Sequence, residues 1–156
     1  AYQSIISRRI DADYINLGFS GSAKGETEIA EYISSLDMSA FVYDYDHNAP
    51  TIEHLENTHE KMFKIIRQNN PSIPIVIMSR PKFRLTNEEE MRSEVIKTTY
   101  NNAITNGDEN VYFIDGEKLM KLAGSDGTVD NCHPTDFGFA SMAKAVGEIL
   151  EKIILK

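Results

Sequence analysis

Asp130 and His133 stand three residues apart in VDNCHPTDFGFASMA. A carboxylate this close can accept a hydrogen bond from the imidazole and fix the ring tautomer that a general base needs. The same carboxylate is also of the type that caps a helix, which would leave His133 as a surface residue, and the spacing alone allows both readings. Gly18, Gly21 and Gly25 fall in one turn before a helix, where backbone N–H groups suit an anion. Neither Gly-x-Gly-x-x-Gly nor a Lys-Ser/Thr phosphate loop accompanies them, so they read as turn glycines and a nucleotide-binding domain is disfavoured. His47, His54 and His59 invite a metal site, but His54 and His59 lie five apart on one predicted helix and diverge. Both are expected at the surface, and no metal is expected. His47 adjoins Asn48 and is expected at a pocket mouth. Asp44 and Asp46 share one face of a strand at the two-residue period, Asp44 to be buried or paired at the sheet end and Asp46 to bind a polar substrate group. Arg80 follows a strand and is expected either to contact a substrate oxygen or to pair with an acidic neighbour.

The elements that must position these residues follow from periodicity and punctuation. Helices are predicted over residues 2–10, 26–35, 51–69, 86–107, 116–122 and 136–155. Thr86 with Glu89 three residues on has the form of a capping box. Strands are predicted over 14–18 (YINLG), 40–45 (AFVYDY), 73–78 (IPIVIM) and 111–115 (VYFID). Strands separated by helices of this length imply parallel pairing with right-handed crossovers, a three-layer α/β/α sandwich over one domain, residues 1–156. In such a sheet ligands bind beyond the carboxyl ends of the strands. Gly18–Gly21, Asp46–Asn48 and Ser79–Arg80 all follow predicted strands directly, and the Asp130–His133 loop lies downstream of the last.

Composition narrows the partners. The chain is 41% hydrophobic and 26% charged with a formal net charge of −8, the balance of a globular protein that lacks the clustered cations a nucleic-acid backbone requires. No apolar run approaches the roughly 18 residues of a membrane span. The lone Cys132 cannot form an internal disulfide, and neither compartment nor oligomeric state is legible.

Asp-x-x-His-Pro followed by a glycine-containing helix resembles the last block of the SGNH hydrolase (GDSL-like lipase/acylhydrolase) family, in which the triad Asp and His come from one such loop. INLGFSGSAKGE is similar to the family's second block and to its bacterial GDSL-like subgroup, and YDYDHNAP stands where its third block does, although the usual Gly-x-Asn-Asp form is altered around Asn48. The resemblance implies a flavodoxin-like SGNH fold and an ester hydrolase with His133 as base, Asp130 behind it, and Gly21 and Asn48 as oxyanion donors. The Gly-Asp-Ser block of the family's first strand is absent, so the serine nucleophile and that strand are expected upstream of Ala1, and the chain by itself is expected to be inactive. A small-molecule, carbohydrate or lipid ester is the implied substrate, and the chemistry needs no cofactor.

Two alternatives stand beside it. Ser20 lies in Gly-Phe-Ser-Gly-Ser between a predicted strand and a helix, similar to the nucleophile elbow of α/β-hydrolases, but the fifth position is Ser22 and the chain is short for that fold. The other is a catalytically inactive ligand-binding module on a flavodoxin-like or SGNH-derived scaffold.

Overall fold

The computed structural model describes residues 1–155. The elements in chain order are α1 (Tyr2–Ile10), α2 (Thr27–Ser34), β1 (Phe41–Asp44), α3 (Ile52–Asn69), β2 (Ile75–Met78), α4 (Asn87–Thr105), β3 (Val111–Ile114), α5 (Gly116–Met120) and α6 (Asp136–Ile154). The strands form one parallel sheet in the order β1-β2-β3, with Phe41 opposite Ile75 and Ile75 opposite Val111. Each crossover is a long helix, α3 from β1 to β2 and α4 from β2 to β3.

The two-residue period divides the core. In β2, Ile75 and Ile77 face a cluster with Tyr43, Leu55, Ile66 and Ile96, drawn from β1, α3 and α4. Val76 and Met78 face the other cluster, with Ile6, Leu119, Met142 and Val146 of α1, α5 and α6. All four β2 side chains are fully buried, as expected of a central strand covered on both faces. The inward stripe expected of α6 is present, with Met142, Ala143, Val146 and Leu150 all buried.

The predicted strand at residues 14–18 is not formed. Tyr14 and Ile15 are exposed and the segment joins no ladder, since no described residue offers it a row of backbone partners. Its end turns locally instead, the Gly18 N–H donating to Asn16 Oδ1 at 3.0 Å, and only Leu17 packs against the core. Among the described residues the sheet therefore has three strands rather than the four expected. His59 also departs from expectation. It is fully buried, its ring stacked on Tyr43 at 4.4 Å and its Nδ1 2.8 Å from Thr99 Oγ1. His54, partly exposed with its Nε2 2.8 Å from the Lys24 carbonyl, lies on a different side of the helix, and the helical period carries His59 round to face the sheet.

Thr86 and Glu89 form the capping box, Glu89 Oε2 accepting the Thr86 N–H at 2.8 Å and Thr86 Oγ1 accepting the Glu89 N–H at 3.4 Å. Thr86→Ala is expected to lower the unfolding free energy by about 1 kcal/mol in urea titration, and an unchanged midpoint would remove the cap from the account. At the start of α5, Gly116 lies against the loop after β2. Its N–H donates to Ser79 Oγ at 2.8 Å, and a Cβ at this position would stand 1.7 Å from the Arg80 carbonyl oxygen.

Candidate active site

The loop entering α6 is built around Asp130. Its Oδ1 accepts the backbone N–H groups of Cys132 (3.0 Å) and His133 (2.8 Å), and Oδ2 lies 2.7 Å from His133 Nδ1. A carboxylate only accepts, so Nδ1 carries the hydrogen and Nε2 presents its lone pair. The bonds from His133, backbone first and then ring, hold the Asp130 carboxyl down at about 2. The cap of α6 itself is Thr135, its hydroxyl accepting the Gly138 N–H at 3.0 Å. Asn131 takes the left-handed conformation, φ 63°, that lets the chain fold back on the carboxylate. The His133 side chain is 78% exposed, so its Nε2 is open to a reacting group.

The loop after β1 is a four-residue turn closed by the Ala49 N–H on the Asp46 carbonyl at 3.0 Å, with His47 and Asn48 at its centre. Each central residue reaches a different neighbour. His47 Nδ1 meets Cys132 Sγ at 3.5 Å, joining this turn to the Asp130–His133 loop, and Asn48 Nδ2 lies 3.5 Å from the Gly18 carbonyl, joining it to the turn that holds Gly21. That turn is left-handed through Phe19, Ser20 and Gly21, with φ of 48°, 45° and 87°. A Cβ at Gly21 would meet nothing within 4 Å. Burial, reinforced by Arg80, lowers the His47 imidazole to about 4, so it is neutral at pH 7.

Asp46 sits beneath this turn rather than in the open. It is 2% exposed, its Oδ1 accepts from Arg92 Nε at 2.7 Å and its Oδ2 accepts the Arg80 N–H at 3.1 Å. Both oxygens are thus occupied by protein, and the substrate contact expected of Asp46 is replaced by a brace between the loops after β1 and β2. Arg80 pairs with Asp46 (3.4 Å) and Glu89 (3.6 Å), the second of its two expected roles. Burial alone would raise Glu89, but its bonds to Lys82 and Thr86 bring it to about 2. Asp44 is paired at the sheet end with the Tyr2 hydroxyl, 3.1 Å away. Arg92 was not legible beforehand: its spacing marks only a helical position, and its partner lies 46 residues away.

The candidate residues therefore gather at the carboxyl ends of the strands, through contacts that run from Gly18 to Asn48, from His47 to Cys132, and from Asp46 to Arg80. Among the described residues no serine hydroxyl bonds an imidazole, Ser20 included, and no three His, Cys, Asp or Glu side chains are placed to share a metal ion. Among them, too, no helix is long and apolar enough to cross a membrane.

The sequence model of the GDSL-like lipase/acylhydrolase family matches residues 1–151. No curated protein matches the chain. Among solved structures, a protein from Bacteroides ovatus described as a GDSL-like lipase superposes with a TM-score of 0.83 at 29% identity, over 99% of this chain and 48% of that one. A salicylyl-acyltransferase from a tetracycline biosynthetic pathway gives 0.81 at 16% identity, over 99% of this chain and 49% of that one. An active-site mutant of a family two carbohydrate esterase from Clostridium thermocellum gives 0.71 at 17% identity, over 97% of this chain and 53% of that one. The chain spans about half the length of these structures.

Proposed function

This chain belongs to the GDSL-like lipase/acylhydrolase family, and on that footing we propose that it carries the base, the acid partner and the oxyanion donors of a serine ester hydrolase whose nucleophile lies upstream of residue 1. The observation that carries the reading is the 2.7 Å bond from His133 Nδ1 to Asp130, which leaves Nε2 free to take a proton. In the proposed reaction the serine oxygen attacks the ester carbonyl as its proton passes to His133 Nε2. Asp130 steadies the imidazolium, and the Gly21 N–H and Asn48 amide receive the oxyanion. The tetrahedral adduct collapses to an acyl-serine as His133 protonates the departing alcohol. Water then repeats the cycle on the acyl group, and no step calls for a cofactor. Each oxyanion donor contributes about 3 kcal/mol to lowering such a barrier.

One further feature supports an upstream nucleophile. Among the described residues β1 has a neighbour on one edge only, so a strand supplied from elsewhere would find backbone to pair with. The substrate is proposed to be the acyl ester of a carbohydrate, a lipid or another small molecule, with His47 proposed as a contact beside Asn48 and with Arg80 and Asp46 bracing the loops behind it. The second reading is a ligand-binding module without catalysis, which needs no serine–imidazole bond, and among the described residues none is present.

The test is intact mass after exposure to a fluorophosphonate, which marks activated serines, on this chain and on one extended upstream, each with its His133→Ala counterpart. The expected result is no adduct on the chain as given and a His133-dependent adduct on the extended form. An adduct on residues 1–156 would move the nucleophile inside the chain, with Ser20 the first suspect, and silence in both would favour the binding module.

A further inference from the structure

The turn that carries Asn48 is held by more than its own four residues. Arg92, on α4 and 3% exposed, sends three bonds into it: Nε to Asp46 Oδ1 at 2.7 Å, Nη2 to the Asp46 carbonyl at 2.5 Å and Nη2 to the Ala49 carbonyl at 2.9 Å. One guanidinium thus grips the first and last carbonyls of the turn, and the carboxylate it holds is fixed in turn to the Arg80 backbone N–H. The two residues between, His47 and Asn48, are located by a helix of the core instead of by a loop. A planar fork of donors can do this, whereas the single ammonium of lysine cannot span the same acceptors. Burying a charged pair is a weak route to stability, because well-packed apolar residues of similar size often do as well. The arrangement is better explained by what it holds in place.

We propose that Arg92 is a positioning residue of the reaction, setting the Asn48 side-chain amide where the oxyanion forms. The inference rests on the hydrolase reading above. It makes Arg92 act through Asn48, with no contact to substrate, and that coupling is measurable.

The experiment uses the natural full-length protein with 4-nitrophenyl acetate as probe, and compares Asn48→Ala, Arg92→Lys, Arg92→Met and the doubles. Asn48→Ala is expected to lower kcat on the order of 10²-fold. Arg92→Lys is expected to lower kcat at least about tenfold while KM stays within about twofold, and to cost nothing further once Asn48 is alanine. Full additivity in the double variant, or an unchanged kcat in Arg92→Lys, would overturn the proposal. Arg92→Met leaves Asp46 buried without its main partner, so if it fails to fold the lysine variant carries the test, its integrity checked by thermal unfolding. The Asn48 side-chain amide signal in ¹H–¹⁵N spectra gives a readout apart from hydrolysis. It should shift and sharpen toward a free amide in Arg92→Lys while the β2 amides hold, and an unmoved signal counts against the role. If the parent shows no His133-dependent hydrolysis, the hydrolase reading fails, and the amide signal alone decides whether Arg92 places Asn48.

Discussion

Replacing Asp130 by asparagine in the full-length protein is expected to lower kcat on the order of 10⁴-fold, about as much as His133→Ala, although the new side chain is nearly the same shape. The reason lies in which oxygen does what. Oδ1 is bound by the backbone N–H groups of Cys132 and His133, so the asparagine carbonyl must take that place and its NH₂ must face the imidazole. A donor opposite Nδ1 forces the ring hydrogen onto Nε2. The imidazole then offers a hydrogen where a lone pair is needed, and the serine proton has nowhere to go. Four powers of ten correspond to about 5 kcal/mol of barrier. Steady-state kinetics on 4-nitrophenyl acetate checks this, and an Asp130→Asn variant within tenfold of the parent would remove Asp130 from the proposed triad.

The second large effect concerns stability. His59 is fully buried, and burial lowers its imidazole to about 3, so the folded protein keeps it neutral down to strongly acid pH. The unfolded chain takes up the proton near pH 6.5. Below that value the unfolded state binds the extra proton, and folding stability falls by about 1.4 kcal/mol per pH unit from this residue until the pH passes the folded value. The contribution is therefore complete above pH 6.5 and lost as the pH drops toward 3. His47, lowered to about 4, acts with the same sign. His59→Phe keeps a flat ring stacked on Tyr43 and gives up the bond to Thr99. Its stability difference from the parent is expected to shift in its favour by about 2–3 kcal/mol between pH 6.5 and 4.5, with other titrating groups cancelling. Urea unfolding across that range measures it, and parallel curves for the two proteins would show that His59 takes up its proton in the fold.

The contrast between these residues marks what a sequence discloses. Asp130 and His133 are three residues apart, and the bond they share is local, so type and spacing could suggest the pair while leaving a helix cap equally open. The helices were legible for a similar reason: Thr86 and Glu89 announce α4, and the stripe of Met142, Val146 and Leu150 announces α6. Residues 14–18 have the composition of a strand, but a strand exists only where another chain segment accepts its bonds, and that is not a local property. His59 looked like any polar residue on a long helix, because its burial depends on Tyr43 and Thr99 from other elements. The pairing of Asp46 with Arg92 was hidden in the same way. Asp46 reads as a residue for a polar substrate group and Arg92 only as a helical position, and only the packing of α4 against the loop after β1 brings them together.

Gly116 extends that interdependence to a position with no polar side chain at all. The Arg80 carbonyl occupies the place where any other residue would put its first carbon, and the Arg80 N–H is one of the anchors of Asp46. A single methyl at residue 116 would thus act as a wedge, pushing on the loop after β2 and, through it, on the turn that presents Asn48. In a saturation screen scored by turnover, this glycine should group with the residues around the reacting ester, although it touches none of it. Tolerance to substitution would then map the backbone clearances behind the candidate residues as sharply as the residues themselves.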